Sequence, residues 1–531
     1  VAEAAGPAEG QEQGRGRRLA LSTAFFAFAT GLSRILGLVR EVVAASYFGV
    51  SGAMSAFTIA FQVPNLMRAL FADSALQGAF VPVFTELLEK GEKKEAFRVA
   101  SSLFLLIALV LGAVTLLFIL FARPIMSVFA PGFHDNPALQ DLTVNLSRLM
   151  FPIVLLLALS GVVIGMLNSF EHFSVPAIAP VAWNLVIIGA LVGITPALHT
   201  DIYAYAYGVL AGTLVQFVLP LPWLRGRGGR FTFHLDWKSP RVRRVLKLML
   251  PVTIGLGLIN LSLLINSLFG TLVSDQAPAA IDKAFRIYQL PQGLFSISIA
   301  TVLFPTLSRF AARGATDDLR RTMGNGVRQI ALLLIPSAVL MAVLAEPITR
   351  LVYQRGHFGG HATDLVATAL VWWSISLPFQ GISLLFTRTF FSLQKPWATT
   401  ALFGLNMALN AGIAAALYGP MGLGGIVLGT VVGTIVMCIS QGWMLRGDLG
   451  GVEAAETLSG ALRMLAAAAL LAAASYGIWH GLDSLLGRSL GAQIASVGGA
   501  ISAGVAVYGA GVWALGVPEA RQIRTLLPGG R

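Results

Sequence analysis

The stretch Gly31-Leu32-Ser33-Arg34-Ile35-Leu36-Gly37-Leu38-Val39-Arg40-Glu41 lies inside an apolar segment running from Leu19 to Phe48. At about 1.5 Å per residue, a helix of that length exceeds a hydrocarbon core of about 30 Å. Arg34 and Arg40 therefore sit at membrane depth. An unpaired charge there costs at least about 2.5–3.5 kcal/mol, so such residues face a watery cavity or a counter-charge. Gly31 and Gly37 flank Arg34 and are the positions where this helix can bend, which makes them gate or hinge candidates. The stretch reads as a device for holding cations over an anionic cargo.

The rest of the chain fits a membrane setting. Its 531 residues are 56% hydrophobic and only 12% charged, the composition of a polytopic membrane protein rather than a soluble domain. The net charge of +12 is accounted for by the excess of Lys and Arg in cytoplasmic loops, with no need of nucleic acid as partner. The single cysteine, Cys438, excludes a disulfide framework and a Cys-based metal site. The seven histidines form no HExxH pattern, and there is no Walker A or G-x-S-x-G motif, so nothing here hydrolyses nucleotide. The first apolar segment is too long for a signal-peptide core and reads as a retained helix.

Window length places about fourteen spans, at 19–48, 53–85, 97–121, 139–168, 176–196, 201–224, 243–272, 279–312, 328–352, 364–391, 397–418, 421–445, 459–480 and 490–515. The expected fold class is an all-α polytopic membrane protein with two six-helix lobes around a central cavity and two extra C-terminal helices. The alternate loops carrying Lys90, Lys93, Lys94 and Arg98, then Arg225 to Arg244, then Arg309 to Arg321, then Lys395, are the basic ones. The other loops are nearly bare, Arg123, Arg355 and Arg488 being the main exceptions. That asymmetry puts both ends in the cytoplasm. The organisation expected is a cytoplasmic tail over 1–18, an N-lobe over 19–224, a basic linker over 225–242, a C-lobe over 243–446, a helix pair over 447–515 and a tail over 516–531.

The two lobes are expected as copies of one another. Phe80-Val81-Pro82-Val83-Phe84-Thr85 leads to Gly91, and Leu303-Phe304-Pro305-Thr306-Leu307-Ser308 leads to Gly314 at the same Pro-to-Gly interval. Val63-Pro64-Asn65-Leu66 has a counterpart in Leu290-Pro291-Gln292-Gly293. Pro152 and Pro176 bracket the fourth span as Pro378 and Pro396 bracket the tenth. Six spans per copy keeps both copies in one orientation, the arrangement of transporters that bind between halves.

Four arginines fall at membrane depth: Arg34, Arg40, Arg68 and Arg286. Arginine stays charged and presents a planar fork that fits phosphate oxygens, so these four are the candidate anion-binding residues. Snorkelling or structural pairing is the competing use. Glu41 and Asp73 are the acids read at this depth, with pairing to arginine as their ordinary role. Asn65 and Ser55 are supporting polar groups. In the second half, Asn266, Asn406, Asn410 and Thr434, with Asn260 and Thr430, form a polar patch. Oxygen ligation of a weakly held sodium ion and plain helix-to-helix hydrogen bonding are both open to it. Pro131-Gly132-Phe133 and Arg355-Gly356-His357-Phe358 are outer turns.

Ser33 to Glu41, Tyr47-Phe48-Gly49, Phe61-Gln62-Val63-Pro64-Asn65-Leu66-Met67-Arg68, Ala79-Phe80-Val81-Pro82, Ala130-Pro131-Gly132-Phe133 and Gln354-Arg355-Gly356-His357-Phe358 together resemble the MurJ (MviN) lipid II flippases. Those belong to the multidrug/oligosaccharidyl-lipid/polysaccharide exporter superfamily. The resemblance covers essentially the whole chain. It implies a central cationic cavity in which Arg34, Arg40, Arg68 and Arg286 engage a lipid-linked diphosphate. It also implies that the last two spans form a groove for the polyprenyl tail. The chain departs from the pattern where Ser55 replaces an aspartate of many relatives. Asn266 and Asn410 stand where some relatives carry aspartates of a sodium site, and Phe285 and Gln289 where some carry acids.

The expected function is translocation of the undecaprenyl-diphosphate-linked peptidoglycan precursor across the bacterial cytoplasmic membrane by alternating access. The membrane potential would reset the empty carrier, and no organic cofactor is expected. Lipid II and membrane lipids are the expected partners of a monomer that can join a cell-wall synthesis complex. The alternatives are a flippase for another polyprenyl-linked glycan, a cation-coupled drug exporter, an integral-membrane glycosyltransferase and a pure scaffold. An exporter of cations would want spare carboxylates, a glycosyltransferase a carboxylate- and metal-bearing loop, and a scaffold would have no use for deep arginines.

Overall fold

The computed structural model describes residues 7–71, 74–198, 201–226, 232 and 235–520; the side chains of 7–24, 27, 68–71, 74–78, 197–198, 248 and 250–260 lie outside that description. Every long regular element among the described residues is a helix. In chain order they are α1 (Pro7–Phe48), α2 (Gly52–Phe71), α3 (Ser74–Glu89), α4 (Lys93–Leu120), α5 (Ala122–Phe129), α6 (Pro137–Met150), α7 (Pro152–Ser169), α8 (Ser174–Leu198) and α9 (Tyr203–Val218). The second half holds α10 (Pro240–Val273), α11 (Ala277–Pro291), α12 (Ile297–Ala312), α13 (Thr316–Val343), α14 (Ala345–Tyr353), α15 (Gly360–Ser392), α16 (Pro396–Leu449), α17 (Ala454–Leu486) and α18 (Leu490–Ala514).

Ten helical stretches among the described residues are long and apolar enough to cross a membrane. The chain is an integral membrane protein, and fourteen is an approximate span count. One of the ten, α16, carries two expected spans in a single run of 54 residues and turns between them at Gly422, with φ +55° and ψ −134°. An L side chain is strained at such a φ, so glycine makes that reversal possible. The expected first, second and seventh spans coincide with α1, with α2 and α3, and with α10. The expected eighth is interrupted by a π turn at Gln292–Ser296, directly after Pro291. Proline cannot donate to the helical ladder, and a wider turn absorbs the missing bond.

The repeat read from prolines reappears in backbone detail. Gly91 (φ +74°) and Gly314 (φ +67°) end α3 and α12 in the left-handed region. Around the first, Gly91 N donates to Leu88 O and Glu92 N to Leu87 O; around the second, Gly314 N donates to Ala311 O and Ala315 N to Phe310 O. These are the paired bonds of a left-handed helix cap. A second matched pair, Glu171 (φ +56°) and Gln394 (φ +59°), ends α7 and α15 with the same bonding pattern. A third pair, Phe121 and Leu344, breaks α4 from α5 and α13 from α14 with near-identical dihedrals. All three pairs stand at one common spacing along the sequence.

The chain divides into two compact units, one of Val1–Phe48, Ala56–Ala130 and His134–Asn260, the other of Gly49–Ser55, Pro131–Phe133 and Leu261–Arg531. In the first unit α1 packs on α8, α8 on α9, and α3, α4 and α9 on α7. Its core includes Phe84, Phe97 and Phe170 in mutual ring contact, and Phe118 stacked on Phe151 at 3.7 Å. In the second unit α15 packs against α11, α13 and α16, and α17 and α18 pair with each other beside α13. Two short pieces from early in the sequence are built into this second unit. Ser55 Oγ accepts a bond from Ala279 N at 3.2 Å, and Gly132 N donates to Thr271 Oγ1 at 3.0 Å. A Cβ on Gly132 would stand 1.9 Å from Thr271 O, so only glycine allows that approach.

Candidate anion-binding site

The best-defined candidate is Arg40, near the end of α1. Its side chain is buried, 9% exposed, and Glu41 beside it is 4% exposed. The guanidinium donates through one terminal nitrogen to Glu41 Oε1 at 2.7 Å and through the other to Asn184 Oδ1 at 3.2 Å. Its Cζ lies 4.6 Å from the ring centre of Trp183, an arginine-on-aromatic contact. Asn184 is itself oriented: its amide nitrogen donates to Pro180 O at 3.0 Å and Ser33 O at 3.3 Å. Trp183 Nε1 donates to Thr213 Oγ1 at 3.1 Å. Helix α8 thus supplies both the π face and the acceptor that fix Arg40 on α1. The buried Nε has no hydrogen-bond partner among the described residues.

Arg34 is exposed and forms no ion pair among the described residues. From 25 to 48 the only charges of α1 are Arg34, Arg40 and Glu41, so this part of the helix remains net positive. Helix α1 continues without interruption through Gly31 and Gly37. A Cβ at Gly31 would meet nothing within 4 Å, and one at Gly37 would meet Asn184 Oδ1 at 3.9 Å, so neither glycine is required by packing. Arg68 is placed on α2, four residues after Pro64, but its side chain lies outside the described residues, as does Asp73 altogether. Asn65 is half-buried on α2. Ser55 is fully buried, and its hydroxyl caps the start of α11 through Ala279.

Arg286, in the second unit, is held by its own helix. Nε lies 3.0 Å from Asp282 Oδ2 and a terminal nitrogen 3.4 Å from Oδ1, a forked contact across one helical turn. Asp282 is therefore an acid of the eighth span that the count of Glu41 and Asp73 omitted. The four-residue spacing to Arg286 was the available signal. Next to it, Lys283 is fully buried with its ammonium 5.7 Å from the Tyr353 ring. Phe285, Tyr288 and Trp373 stack around the same part of α11. Asn184 and Trp183 were also missed. They lie more than a hundred residues from Arg40, and no local spacing announces them.

The polar patch of the second half forms one connected network. Asn410 donates to Ser262 Oγ at 3.0 Å and to Asn266 Oδ1 at 3.1 Å, Asn266 donates to Thr430 Oγ1 at 2.8 Å, and Thr430 donates to Asn410 Oδ1 at 3.1 Å. Asn266 and Asn410 are completely buried. Asn406 turns its amide to Met437 Sδ at 3.7 Å, and Thr434 is buried one turn beyond Thr430. These side chains bond to one another across helices, and the amide oxygens of Asn266 and Asn410 accept from neighbouring N–H and O–H groups.

Residues 44–487 match the family model described as "Lipid II flippase MurJ". The chain is 31% identical over 506 residues to a protein of Rhizobium meliloti (strain 1021) named "Probable lipid II flippase MurJ", covering 93% of this chain and 94% of that one. It is 29% identical over 522 residues to a protein of the same name from Vibrio cholerae serotype O1, covering 94% and 97%. Among solved structures, one titled "Lipid II flippase MurJ, inward closed conformation" superposes with a TM-score of 0.76 at 22% identity, covering 92% of this chain and 98% of that one. An inward-facing multidrug resistance MATE family transporter of the MOP superfamily superposes with a TM-score of 0.63 at 15% identity, covering 79% and 95%. The fold is shared with that transporter.

Proposed function

Because the chain belongs to the lipid II flippase MurJ family, we propose that it moves lipid II from the inner to the outer leaflet of the bacterial cytoplasmic membrane, with Arg34, Arg40, Arg68 and Arg286 binding the diphosphate. It is a transporter and not an enzyme. The observation that carries the assignment of the site is Arg40. It is a buried guanidinium with one carboxylate partner, a spare Nε and an unpaired arginine two turns away on the same helix. The unused Nε is a donor that a phosphate group could take, with Glu41 kept as partner, once the carrier opens this buried position. Arg286 enters differently, because the diphosphate has to share it with Asp282.

In this mechanism the cytoplasm-open carrier draws the diphosphate onto the arginines, and neutralising their charge removes the self-repulsion that keeps the site open. Bending at Gly31 and Gly37 accompanies closure. The polyprenyl tail stays in lipid along the groove of α17 and α18. Returning a net positive, empty carrier to the cytoplasmic side is favoured by an inside-negative potential, by about 2.3 kcal/mol per charge per 100 mV of full transit. Potential is the drive and sodium is not required, since Asn266 and Asn410 bring no negative charge. The chain works as a monomer, with its basic loops and both termini in the cytoplasm.

The test is accessibility of the precursor to an external probe in cells whose only flippase is this chain. Arg40→Ala is expected to trap the precursor inside while the protein remains at wild-type level in the membrane. Wild-type accessibility in both Arg40→Ala and Arg34→Ala cells would refute the site.

A further inference from the structure

The start of α10 carries a cluster of cations that the translocation reading leaves unused. Lys238, Pro240, Arg243, Arg244 and Lys247 line a hollow of about 510 Å³ in the first unit. A second hollow, of about 930 Å³, adjoins it at Pro240 and is lined by Gly91 to Glu95, Ser239 and Arg241. The acids nearby are already committed. Arg241 pairs with Glu92 at 2.9 Å and Glu95 at 3.2 Å, and Arg244 with Glu86 at 3.1 Å. Lys90, bonded to Glu86 at 2.7 Å, and then Arg244 hold the Glu86 carboxyl below its ordinary value, so it stays ionised and engaged.

Lys238, Arg243 and Lys247 have no carboxylate within ion-pair distance among the described residues. Arg243 and Lys247 are four apart on one helix face, where like charges repel. Lys238 lies over the ring of Trp237, 5.4 Å from its centre, and Trp237 is 55% exposed. Leu235 and Leu246, close to it in sequence, are exposed as well. Uncancelled cations around a hollow, flanked by exposed Trp and Leu, have the chemistry of a membrane interface: the rings and aliphatic groups sit among acyl chains and the cations meet phosphate.

We propose that this hollow is a binding site for the phosphodiester headgroup of an acidic phospholipid, separate from the cargo site, with Lys238, Arg243 and Lys247 as its charged contacts. The committed source is the lipid leaflet and not a free phosphate ion, because the apolar rim is exposed. Binding such a lipid relieves the repulsion between Arg243 and Lys247 and holds the segment from Leu235 to Lys247 at the membrane surface. The inference is independent of what the carrier transports.

The experiment uses the purified full chain in nanodiscs of phosphatidylcholine doped with phosphatidylglycerol, and counts retained phosphatidylglycerol by native mass spectrometry. The triple variant Lys238→Gln, Arg243→Gln, Lys247→Gln is expected to lose affinity for the tightest phosphatidylglycerol on the order of a hundredfold, as each cation near an acidic lipid surface contributes about fivefold. The charge-keeping variant Lys238→Arg, Arg243→Lys, Lys247→Arg is expected to retain it, which separates loss of a site from loss of fold. A control triple with the same charge change elsewhere, Arg309→Gln, Arg313→Gln, Arg321→Gln, is expected to keep the tightest phosphatidylglycerol, because that lipid sits at the hollow of Lys238, Arg243 and Lys247. Equal losses in both neutralised triples would reduce the effect to general surface charge and overturn the site. Displacement of the bound lipid by inorganic phosphate alone would assign the hollow to free anions and overturn it as well.

Discussion

Three different neighbours hold the buried side chain of Arg40. Glu41 supplies the counter-charge, Asn184 an oriented acceptor and Trp183 a π face. Asn184 is a positioning residue in this scheme: it touches no cargo, and its own amide is anchored to α1 at Ser33. Asn184→Ala is therefore expected to lower precursor accessibility about tenfold or more, the worth of one hydrogen bond to a charged group. Arg40→Lys is expected to be nearly as defective as Arg40→Ala, because an ammonium cannot fill the forked contacts or stack on the indole. Wild-type transport by Arg40→Lys would show that charge alone suffices. Part of this arrangement was legible early. Arginine and glutamate adjoin in the sequence and both fall at membrane depth, so a pair was expected. The asparagine and tryptophan were not, because only the packing of α1 on α8 brings them near.

At the scale of elements, the α17–α18 pair is tied to the rest of its unit at both ends and along its length. Near one end, Arg328 on α13 bonds Glu453 at 3.0 Å and Glu519 at 2.5 Å. Near the other, Arg350 on α14 bonds Asp483 at 2.5 Å. Between them, Ala331, Leu332 and Ile335 pack on Met464, Ala467, Ala468 and Leu471, and Tyr508 donates its hydroxyl to Leu332 O at 2.9 Å. The pair thus belongs to one compact unit and is not a loose appendage. Removing one member of such a buried ion cluster costs about 3–5 kcal/mol, while replacing both by well-packed apolar groups costs little. Arg328→Gln is expected to lower the melting temperature by several degrees, and Arg328→Met with Glu453→Gln and Glu519→Leu to recover most of it. Unchanged melting of Arg328→Gln in detergent would show the cluster to be energetically idle. The sequence analysis expected these two helices as extra ones, outside the two repeated lobes. Their apolar length was visible in the residues, but their ionic ties join positions more than a hundred residues apart.

At the scale of the molecule, the question is what drives the cycle. The Asn266–Asn410–Thr430 network is neutral and internally satisfied, and in the proposed cycle the inside-negative potential supplies the work on a cationic carrier. Collapsing the potential with an ionophore is expected to slow precursor export several-fold, and replacing sodium by potassium to leave it unchanged. Asn266→Asp with Asn410→Asp is expected to introduce a sodium dependence, because two carboxylates then face the same oxygen-rich centre. Sodium dependence in the unaltered chain would disprove the potential-driven cycle.

Local composition and spacing decided that this chain is a bundle of membrane helices, that it repeats, and where it turns. Each of those properties depends on residues a few positions apart: apolar run length, proline intervals, and glycines at helix ends such as Gly91 and Gly314. Deep arginines were equally visible, since burial of a charge follows from its place in an apolar run. Tertiary structure alone decided what Arg40 touches and that Arg34 is exposed: it turned Arg40 toward α8 and left Arg34 without cover. Such partners are chosen by which helix faces meet, and that depends on the packing of the whole chain rather than on any one segment of it.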